Sequence, residues 1–320
     1  MLTFSAIKYE DDSFQERFNS YLDRKNQSSS EIAATVAKII LEVRTNGDSA
    51  LRSFTKDFDD FDCDNFLISQ QEFEQASDKV DHELIESLEY AFDNISNYQS
   101  KCYESLNLEP SDDDIKRKFR VIDSVGMYIP GGQASYPSTV LMAAAPALAC
   151  GVRNISLTTP AQNGMLNSLT IAAAKVAGVN KIYKIGGAQA IAALALGTDQ
   201  VSKVDKIIGP GNAFVAEAKK QLFGEVGIDS IAGPSEIVIF ADDTSDPETI
   251  AWDLMAQSEH DSDASAVLIS SSDKLIDEVK KIINKEIVSL QRYQIIKDAI
   301  ESNGLFISCL LYTSPSPRDS

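Results

Sequence analysis

Four glycine-containing turns mark places where a ligand phosphate could be bound. They are Pro130-Gly131-Gly132, Gly186-Gly187, Gly209-Pro210-Gly211 and Gly233-Pro234-Ser235. Gln189, Asn212 and Ser235 stand near the helix or strand starts that follow, where free backbone N–H groups and the helix dipole favour an anion. Together the turns predict a pocket for a phosphate-bearing ligand. None of them matches G-x-G-x-x-G, and glycine at such a turn is also explained by a need for positive φ alone.

A polar stripe lies on the helix that Asp246 is predicted to begin. Its members, at positions i, i+4, i+7 and i+8, are Asp253, Gln257, His260 and Asp261. Because this spacing places them on one helical face, they could share a site; the alternative is a stripe that faces water. A catalytic zinc site normally offers three protein ligands, so Gln257 and His260 alone leave any metal under-coordinated.

Short apolar strands alternate with helices in the part of the chain that carries these residues. The predicted strand and helix pairs are 155–158 with 169–177, 182–185 with 188–196, 206–208 with 213–223, and 237–240 with a helix from 246. A strand at 266–270 and further helices to about residue 301 follow. This alternation predicts a parallel sheet, in which ligands bind outside the carboxyl ends of the strands.

The first third of the chain is predicted to be largely helical. Ser28 and Glu31 form a capping box ahead of a helical apolar pattern that ends at Asn46 and Gly47. A short helix around residue 51 and a longer one over 73–98 are predicted next. The change to β-branched residues after 119 predicts a boundary near residue 125, and the last residues, 309–320, read as a disordered or non-native tail.

Composition narrows the class of protein. With 43% hydrophobic residues among 320, the chain is long enough for two domains with a sizeable core. The net charge of −19 argues against nucleic acid or an anionic membrane as the partner. The longest apolar run is too short to span a bilayer, and the N-terminus has no secretion or transit pattern, so a cytoplasmic protein is expected. The absence of esterase and Walker-loop motifs leaves hydrolase and nucleotide triphosphatase functions without support.

Five segments resemble the histidinol dehydrogenase family in order and approximate spacing. They are Val125-Gly-Met-Tyr-Ile-Pro-Gly-Gly132, Ile185-Gly-Gly-Ala-Gln-Ala-Ile-Ala192, Gly209-Pro-Gly-Asn-Ala-Phe214, Ala232-Gly-Pro-Ser-Glu236 and Gln257-Ser-Glu-His260. With Asn46-Gly-Asp-Ser-Ala-Leu51, the resemblance covers about residues 20 to 307. It implies NAD-dependent oxidation of L-histidinol, through L-histidinal, to L-histidine.

The resemblance also implies a role for individual residues. Tyr128, Gln189 and Asn212 would contact NAD. Ser235, Gln257 and His260 would contact the substrate L-histidinol, and the last two would also be zinc ligands, two of the four expected. The family's catalytic Glu-His pair has no counterpart in this chain, so no catalytic residue is assigned and the chain as written is expected to be inactive. The alternatives are a non-catalytic dinucleotide-binding or interaction module and another NAD-linked dehydrogenase.

For the architecture, the resemblance implies two Rossmann-like three-layer α/β domains with parallel sheets. One domain would be discontinuous, at 24–127 plus 237–308, and the other would be inserted, at 128–236, after an N-terminal segment at 1–23. The family's C-terminal domains are expected to be missing. Since the family uses those domains to cross to its partner, a weakened homodimer is expected.

Overall fold

A computed structural model describes residues 2–106, 119–131, 136–161, 163–179, 181–231 and 236–309, with the backbone alone for 24–29. The strands in these ranges are β1 (Ala6–Lys8), β2 (Ser124–Tyr128), β3 (Asn154–Thr159), β4 (Lys181–Lys184), β5 (Lys206–Ile208), β6 (Gly227–Ile228), β7 (Glu236–Ala241), β8 (Ser265–Ser270) and β9 (Leu305–Ser308). The helices are α1 (Phe14–Asn46), α2 (Asp48–Asp59), α3 (Gln70–Ser77), α4 (His82–Ser105), α5 (Pro137–Ala149), α6 (Ser168–Val176), α7 (Gly187–Leu196), α8 (Ala213–Leu222), α9 (Pro247–Ser258), α10 (Asp273–Glu286) and α11 (Tyr293–Asn303).

The chain divides into two compact units. The first unit joins residues 1–30 to 234–320, and the second unit is residues 31–233. This grouping differs from the predicted domains, because Val36 and Leu51 belong to the same buried core as Ile191 and Leu194. Residues 31–127 are therefore grouped with 128–233, and the predicted division at 127/128 stays a prediction.

The second unit is built on a five-stranded parallel sheet with the order β4-β3-β2-β5-β6. Alternate strand residues point to opposite faces, so Met127 and Leu157 join one core while Tyr128 and Ile207 join the other. Helices α3 to α6 cover the first face, and α7, α8 and the inner sides of α1 and α2 cover the second. The result is three layers, as predicted.

The first unit is built on a four-stranded parallel sheet with the order β1-β9-β8-β7. Helices α9, α10 and α11 pack on one face around Leu268 and Phe306. Phe14 and Phe18, at the start of α1, pack on the other face against Ile307. The prediction of an α/β fold with parallel sheets is thus confirmed in both units.

Several predicted boundaries in the helical third are wrong. Helix α1 begins at Phe14 rather than at Ser28, because residues 14–46 contain no proline or glycine to interrupt it. The helix predicted over 73–98 is two helices, α3 and α4, and a full capping box at Ser69 and Glu72 begins the first of them. Among the described residues, no helix combines the length and the apolar character needed to cross a membrane.

Three short strands were not predicted from the sequence. In addition, Cys309 of the predicted tail pairs with the sheet. The strands β1, β6 and β9 contain 3, 2 and 4 residues, too few for a visible period. Cys309, assigned to the tail, continues β9, and its backbone N–H donates to the carbonyl of Ser270 at 3.0 Å. Residues 310–320 lie outside the described residues.

Candidate cofactor site and metal ligands

The glycine turns of the second unit meet at the carboxyl edge of its sheet. Gly131 follows β2, Pro160 follows β3 and Gly186 follows β4. A Cβ atom added to Gly131 would lie 2.5 Å from Pro160 Cγ, and one added to Gly186 would lie 2.6 Å from Pro160 Cβ. The three strand ends are thus in contact, and side chains larger than hydrogen would separate them.

The turn after β5 contacts the end of β2 even more closely. Gly209 has φ +111°, and an added Cβ would lie 2.1 Å from the carbonyl oxygen of Tyr128. The chain connects β2 to β3 on one side and later returns to place β5 on the other side of β2. Parallel α/β sheets form a ligand crevice where the connections diverge in this way. Tyr128 and the Gly209–Asn212 turn therefore flank this crevice.

Tyr128 reaches from β2 to the first residue of α7. Its hydroxyl oxygen accepts a hydrogen bond from the backbone N–H of Gly187 at 3.2 Å, and the residue is only 4% exposed. Burial raises the pKa of Tyr128 to about 12, with a smaller contribution from the negative charge of Asp59. The phenol is therefore neutral and acts as a hydrogen-bonding group at the helix terminus.

Asp59, at the end of α2, was not singled out as a site residue from the sequence. Its Oδ2 is buried and has no hydrogen-bond partner among the residues that the structure describes. Burial raises the pKa of this carboxyl to about 6. The pattern of α2 gives a signal for this only in retrospect, since Asp59 follows the fully buried Thr55 by one helical turn.

Gln189 lies in the first turn of α7, and Asn212 immediately precedes α8. Gln189 is 2% exposed, and its side chain folds back so that Oε1 would lie 2.6 Å from a Cβ on Gly187. Asn212 is exposed and is the N-cap of α8, where its Oδ1 accepts from the N–H of Val215 at 3.1 Å. The structure therefore brings Tyr128, Gln189 and Asn212 to the same edge of one sheet.

The proposed metal ligands lie in the first unit, at the end of α9. Gln257 is half-buried in the last turn, but α9 ends at Ser258, so His260 is beyond the helix and exposed. The placement of both residues on one helical face was therefore wrong. The N–H of His260 bonds to the carbonyl of Gln257 at 3.3 Å, a three-residue turn that ends the α-helical pattern. Ser235 lies outside the described residues.

A buried ion pair behind the Gly209–Asn212 turn was also missed. Lys219 of α8 is 2% exposed, and its Nζ lies 2.7 Å from Oδ1 of Asp229, which follows β6. Lysine is rarely fully buried, so an interior position would not be assigned to it from residue type. The inward-facing helical spacing of Lys219 with Val215 and Leu222, both buried, was the available signal.

These features define a parallel α/β protein whose strand order reverses beside β2, the position at which many dinucleotide-binding proteins hold their ligand. Residues 22–313 match the model of the histidinol dehydrogenase family. The curated histidinol dehydrogenase of Oceanobacillus iheyensis is 45% identical over 282 residues, which cover 87% of this chain and 66% of that protein. That of Methanocaldococcus jannaschii is 41% identical over 314 residues, covering 97% and 73%.

A solved histidinol dehydrogenase from Elizabethkingia anophelis superposes with a TM-score of 0.78 and 29% identity, covering 97% of this chain and 71% of that chain. The chain belongs to the histidinol dehydrogenase family. It spans about two thirds of the length of the curated relatives it matches, from 66% to 73% in these two.

The two groups that the family implies fit the described residues differently. For a dinucleotide, the turns after β2, β4 and β5 contain Gly131, Gly186 and Gly209, and an added Cβ at each would collide with Pro160 or Tyr128, so only glycine allows the backbone to pack this closely there. For zinc, no group of three or more His, Cys, Asp or Glu side chains within the described ranges could hold a metal. Glycine turns at the carboxyl edge of a parallel sheet are compatible with a dinucleotide, whereas the described residues do not by themselves form a zinc site.

Proposed function

We propose that this chain takes part in the NAD-dependent oxidation of L-histidinol, through L-histidinal, to L-histidine. The observation that carries the proposal is the set of closely packed glycine turns after β2, β4 and β5, at the edge where the strand order reverses, in a member of this family. Bound NAD would supply the hydride acceptor. The relatives are named for histidinol, which supports an alcohol with an imidazole ring as the substrate.

The cofactor-binding role is proposed for Tyr128, Gln189 and Asn212. The exposed N-cap position of Asn212 suits contact with a polar ligand at the start of α8. Tyr128 is buried, so its proposed contribution is to hold the N-terminus of α7 in place through Gly187 and to close the floor of the crevice. Tyr128 belongs to the buried apolar core of the second unit.

The substrate-binding role is proposed for Ser235, Gln257 and His260. The exposed imidazole of His260 can donate a hydrogen bond to, or accept one from, the amino or alcohol group of a small substrate. Gln257 and His260 are also proposed as two of four zinc ligands, which leaves two ligands to other residues.

The 320-residue chain is proposed to bind NAD without turning over histidinol. In support, its relatives are longer, and the resemblance places the proton-transferring Glu-His pair outside this sequence. The test is calorimetric titration with NAD, followed by an assay of NADH absorbance with L-histidinol and zinc. Binding without NADH formation is expected. Appreciable turnover would contradict inactivity, and failure to bind NAD would contradict the cofactor role.

A second candidate is a dinucleotide-binding module without catalysis. The crevice between β2 and β5 favours it, since the described residues that line it all belong to the second unit, 31–233. Determining the coding sequence beyond residue 309 separates the two candidates. A continuation that carries a Glu-His pair supports the enzyme, whereas a stop after Ser320 supports the module.

We also propose a cytoplasmic protein that forms a weaker homodimer than its longer relatives. Val238 and Phe240 on the edge strand β7 are 50% and 60% exposed, an apolar surface that a further segment or subunit could cover. Sedimentation velocity over a range of concentrations is the measurement. A tight dimer at micromolar concentration would contradict the proposal.

A further inference from the structure

Lys219 makes two hydrogen bonds from a fully enclosed position. Its Nζ donates to Oδ1 of Asp229 at 2.7 Å and to the carbonyl oxygen of Gly209 at 2.5 Å. The residue lies in the second turn of α8, seven residues after the N-cap Asn212. An ammonium group at this depth is stable only because both acceptors are present.

Asp229 holds the same turn from the opposite side. Its Oδ2 accepts from the N–H of Gly209 at 2.8 Å, and its Oδ1 accepts from the N–H of Ser230 at 2.7 Å. Burial alone would raise the pKa of Asp229, but hydrogen bonds from Lys219, Gly209 and Ser230 outweigh it and hold the pKa below its ordinary value. The carboxylate is therefore charged whenever the turn is formed at neutral pH.

Both backbone polar groups of Gly209 are thus bound by side chains of opposite charge. Gly209 is also the residue whose hydrogen faces the carbonyl of Tyr128 and whose φ is +111°. If Lys219 and Asp229 are removed, the N–H and carbonyl groups of Gly209 lose their hydrogen-bond partners. Asn212 lies only three residues further along the chain. The pair consequently fixes the spacing between the end of β2 and the start of α8.

A role in stability alone would not explain this arrangement. A buried ion pair contributes little net stability compared with apolar residues of similar volume, because desolvation offsets the attraction. Here both charged side chains also bind the backbone of the same residue, Gly209. Side-chain support of this kind is what keeps binding groups within reach of their ligand.

We propose that Lys219 and Asp229 are positioning residues that hold the Gly209–Asn212 turn in the conformation that receives the pyrophosphate side of NAD. The inference rests on the proposed function, because it takes NAD as the ligand of the crevice. The pair touches the turn and not the ligand.

The test compares Lys219→Met and Asp229→Asn with Lys219→Arg and with Ile171→Ala in the full 320-residue chain. Lys219→Met keeps the apolar stem and removes the charge, whereas Lys219→Arg keeps a charged donor. Ile171, which is 3% exposed on α6, belongs to the core on the other face of the sheet, so its truncation destabilises the same unit without touching the turn. Two quantities are measured: the Kd for NAD by calorimetry, and the amide hydrogen exchange of a peptide that spans 207–216.

The expected result is a Kd for NAD raised about tenfold or more by Lys219→Met and by Asp229→Asn, since displacing a binding group by about 1 Å is costly. Exchange of the turn should accelerate in the same two variants, and Lys219→Arg should recover most of both effects. Ile171→Ala should lower the thermal midpoint while leaving NAD affinity and turn exchange unchanged.

Two results would overturn the inference: a Kd unchanged in both charge-removing variants, or turn exchange that rises no more than in Ile171→Ala. Failure of the proposed function gives a different pattern. If the unmodified chain does not bind NAD, yet the turn loosens selectively in Lys219→Met and Asp229→Asn, the cofactor assignment fails, while the pair is still shown to hold the turn.

Discussion

The two parallel sheets carry different turns at the carboxyl ends of their strands. In the second unit, β2, β4 and β5 lead into glycine turns, and the N-cap of α7 is Gly186, which offers no side-chain hydrogen bond. In the first unit, β7 and β8 lead into aspartate and serine. Asp246 caps α9 by accepting from the N–H of Thr249 at 3.1 Å, and Ser272 caps α10 by accepting from the N–H of Leu275 at 3.3 Å.

The difference decides what each edge can bind. A helix whose first N–H groups are bound by its own cap has fewer donors left for a ligand, but it is stabilised locally. At α7 the hydroxyl of Tyr128 from another strand meets the N–H of Gly187, so helix terminus and strand end form one polar cluster. We propose NAD binding only at the edge of the second unit, where α7 has a glycine N-cap. Helix α8 at the same edge is capped by its own residue Asn212, as α9 and α10 are capped in the first unit.

The largest expected effect tests whether the close approach of Gly209 to Tyr128 requires glycine in the turn after β5. Gly209→Ala combines a positive φ with a Cβ 2.1 Å from the carbonyl oxygen of Tyr128. We expect it to lower the free energy of unfolding by about 3 kcal/mol, the sum of φ strain and overpacking. Urea unfolding followed by circular dichroism is the measurement.

The matched control for this variant is Gly151→Ala. Gly151 has φ +87°, but an added Cβ would have no neighbour within 4 Å. Only the φ strain remains, so a loss of about 1 kcal/mol is expected. Equal losses in the two variants would show that the contact between Gly209 and Tyr128 contributes nothing.

Much of the second unit was predictable because its apolar runs are bounded by glycine and proline. The strand predicted at 206–208 has those bounds in the structure, and the helix predicted at 188–196 begins one residue earlier. The strand β1 was not predictable, since Ala6 becomes a strand residue through pairing with Phe306, which lies 300 residues away in sequence. Short edge strands are set by their partners rather than by their own residues.

The site was predictable to a smaller extent. Glycine marks the turns visibly, whereas the support behind them depends on charged residues in positions that would be assigned to apolar side chains. Lys219 is the clearest case, because its partner Asp229 lies beyond the end of α8 and after β6. The end of α9 before His260 was missed for another reason: residues 259–261 contain no glycine or proline to mark a helix end.

A smaller effect tests whether Asn212 binds NAD in addition to capping a helix, whereas Asp246 only caps a helix. Asn212→Ala and Asp246→Ala each remove a side chain that caps a helix. Both should lower the thermal midpoint by a few degrees, the usual consequence of a lost N-cap. Only Asn212→Ala should also weaken NAD binding, by about tenfold if one ligand hydrogen bond is lost.

Differential scanning calorimetry and calorimetric titration with NAD measure the two quantities on the same samples. Asn212→Asp serves as a further control, because aspartate caps a helix as well as asparagine does but adds a negative charge beside the proposed NAD site. It should keep the thermal midpoint and still lose affinity. Equal NAD affinity in Asn212→Ala and Asp246→Ala would remove the distinction between the two edges.

The smallest expected effect concerns the carboxylates of the two units and depends on pH. In the second unit, burial raises the pKa of Asp59 to about 6, whereas an unfolded aspartate titrates near about 3.9. The folded protein therefore binds this proton more tightly, and the destabilisation by charged Asp59 develops between these values and is complete above pH 6. Asp59→Asn should thus raise the thermal midpoint by a few degrees at pH 8 and leave it unchanged near pH 4.

The pKa of Asp246 in the first unit is shifted in the opposite direction to that of Asp59, so the two aspartates can be compared directly. Hydrogen bonds from Thr249 and Glu248 lower its pKa, so its stabilising contribution is present above about pH 4 and is lost as pH falls through the lowered value. Asp246→Ala, which removes the capping carboxylate, should therefore cost stability at pH 8, where Asp59→Asn gains it. Asp57→Asn, on an exposed position of α2, is the control for removing a charge from that helix. If Asp59→Asn shifts the midpoint at pH 8 no more than Asp57→Asn does, the carboxyl of Asp59 is solvated. The polar cluster would then contain Tyr128 and Gly187 but not Asp59.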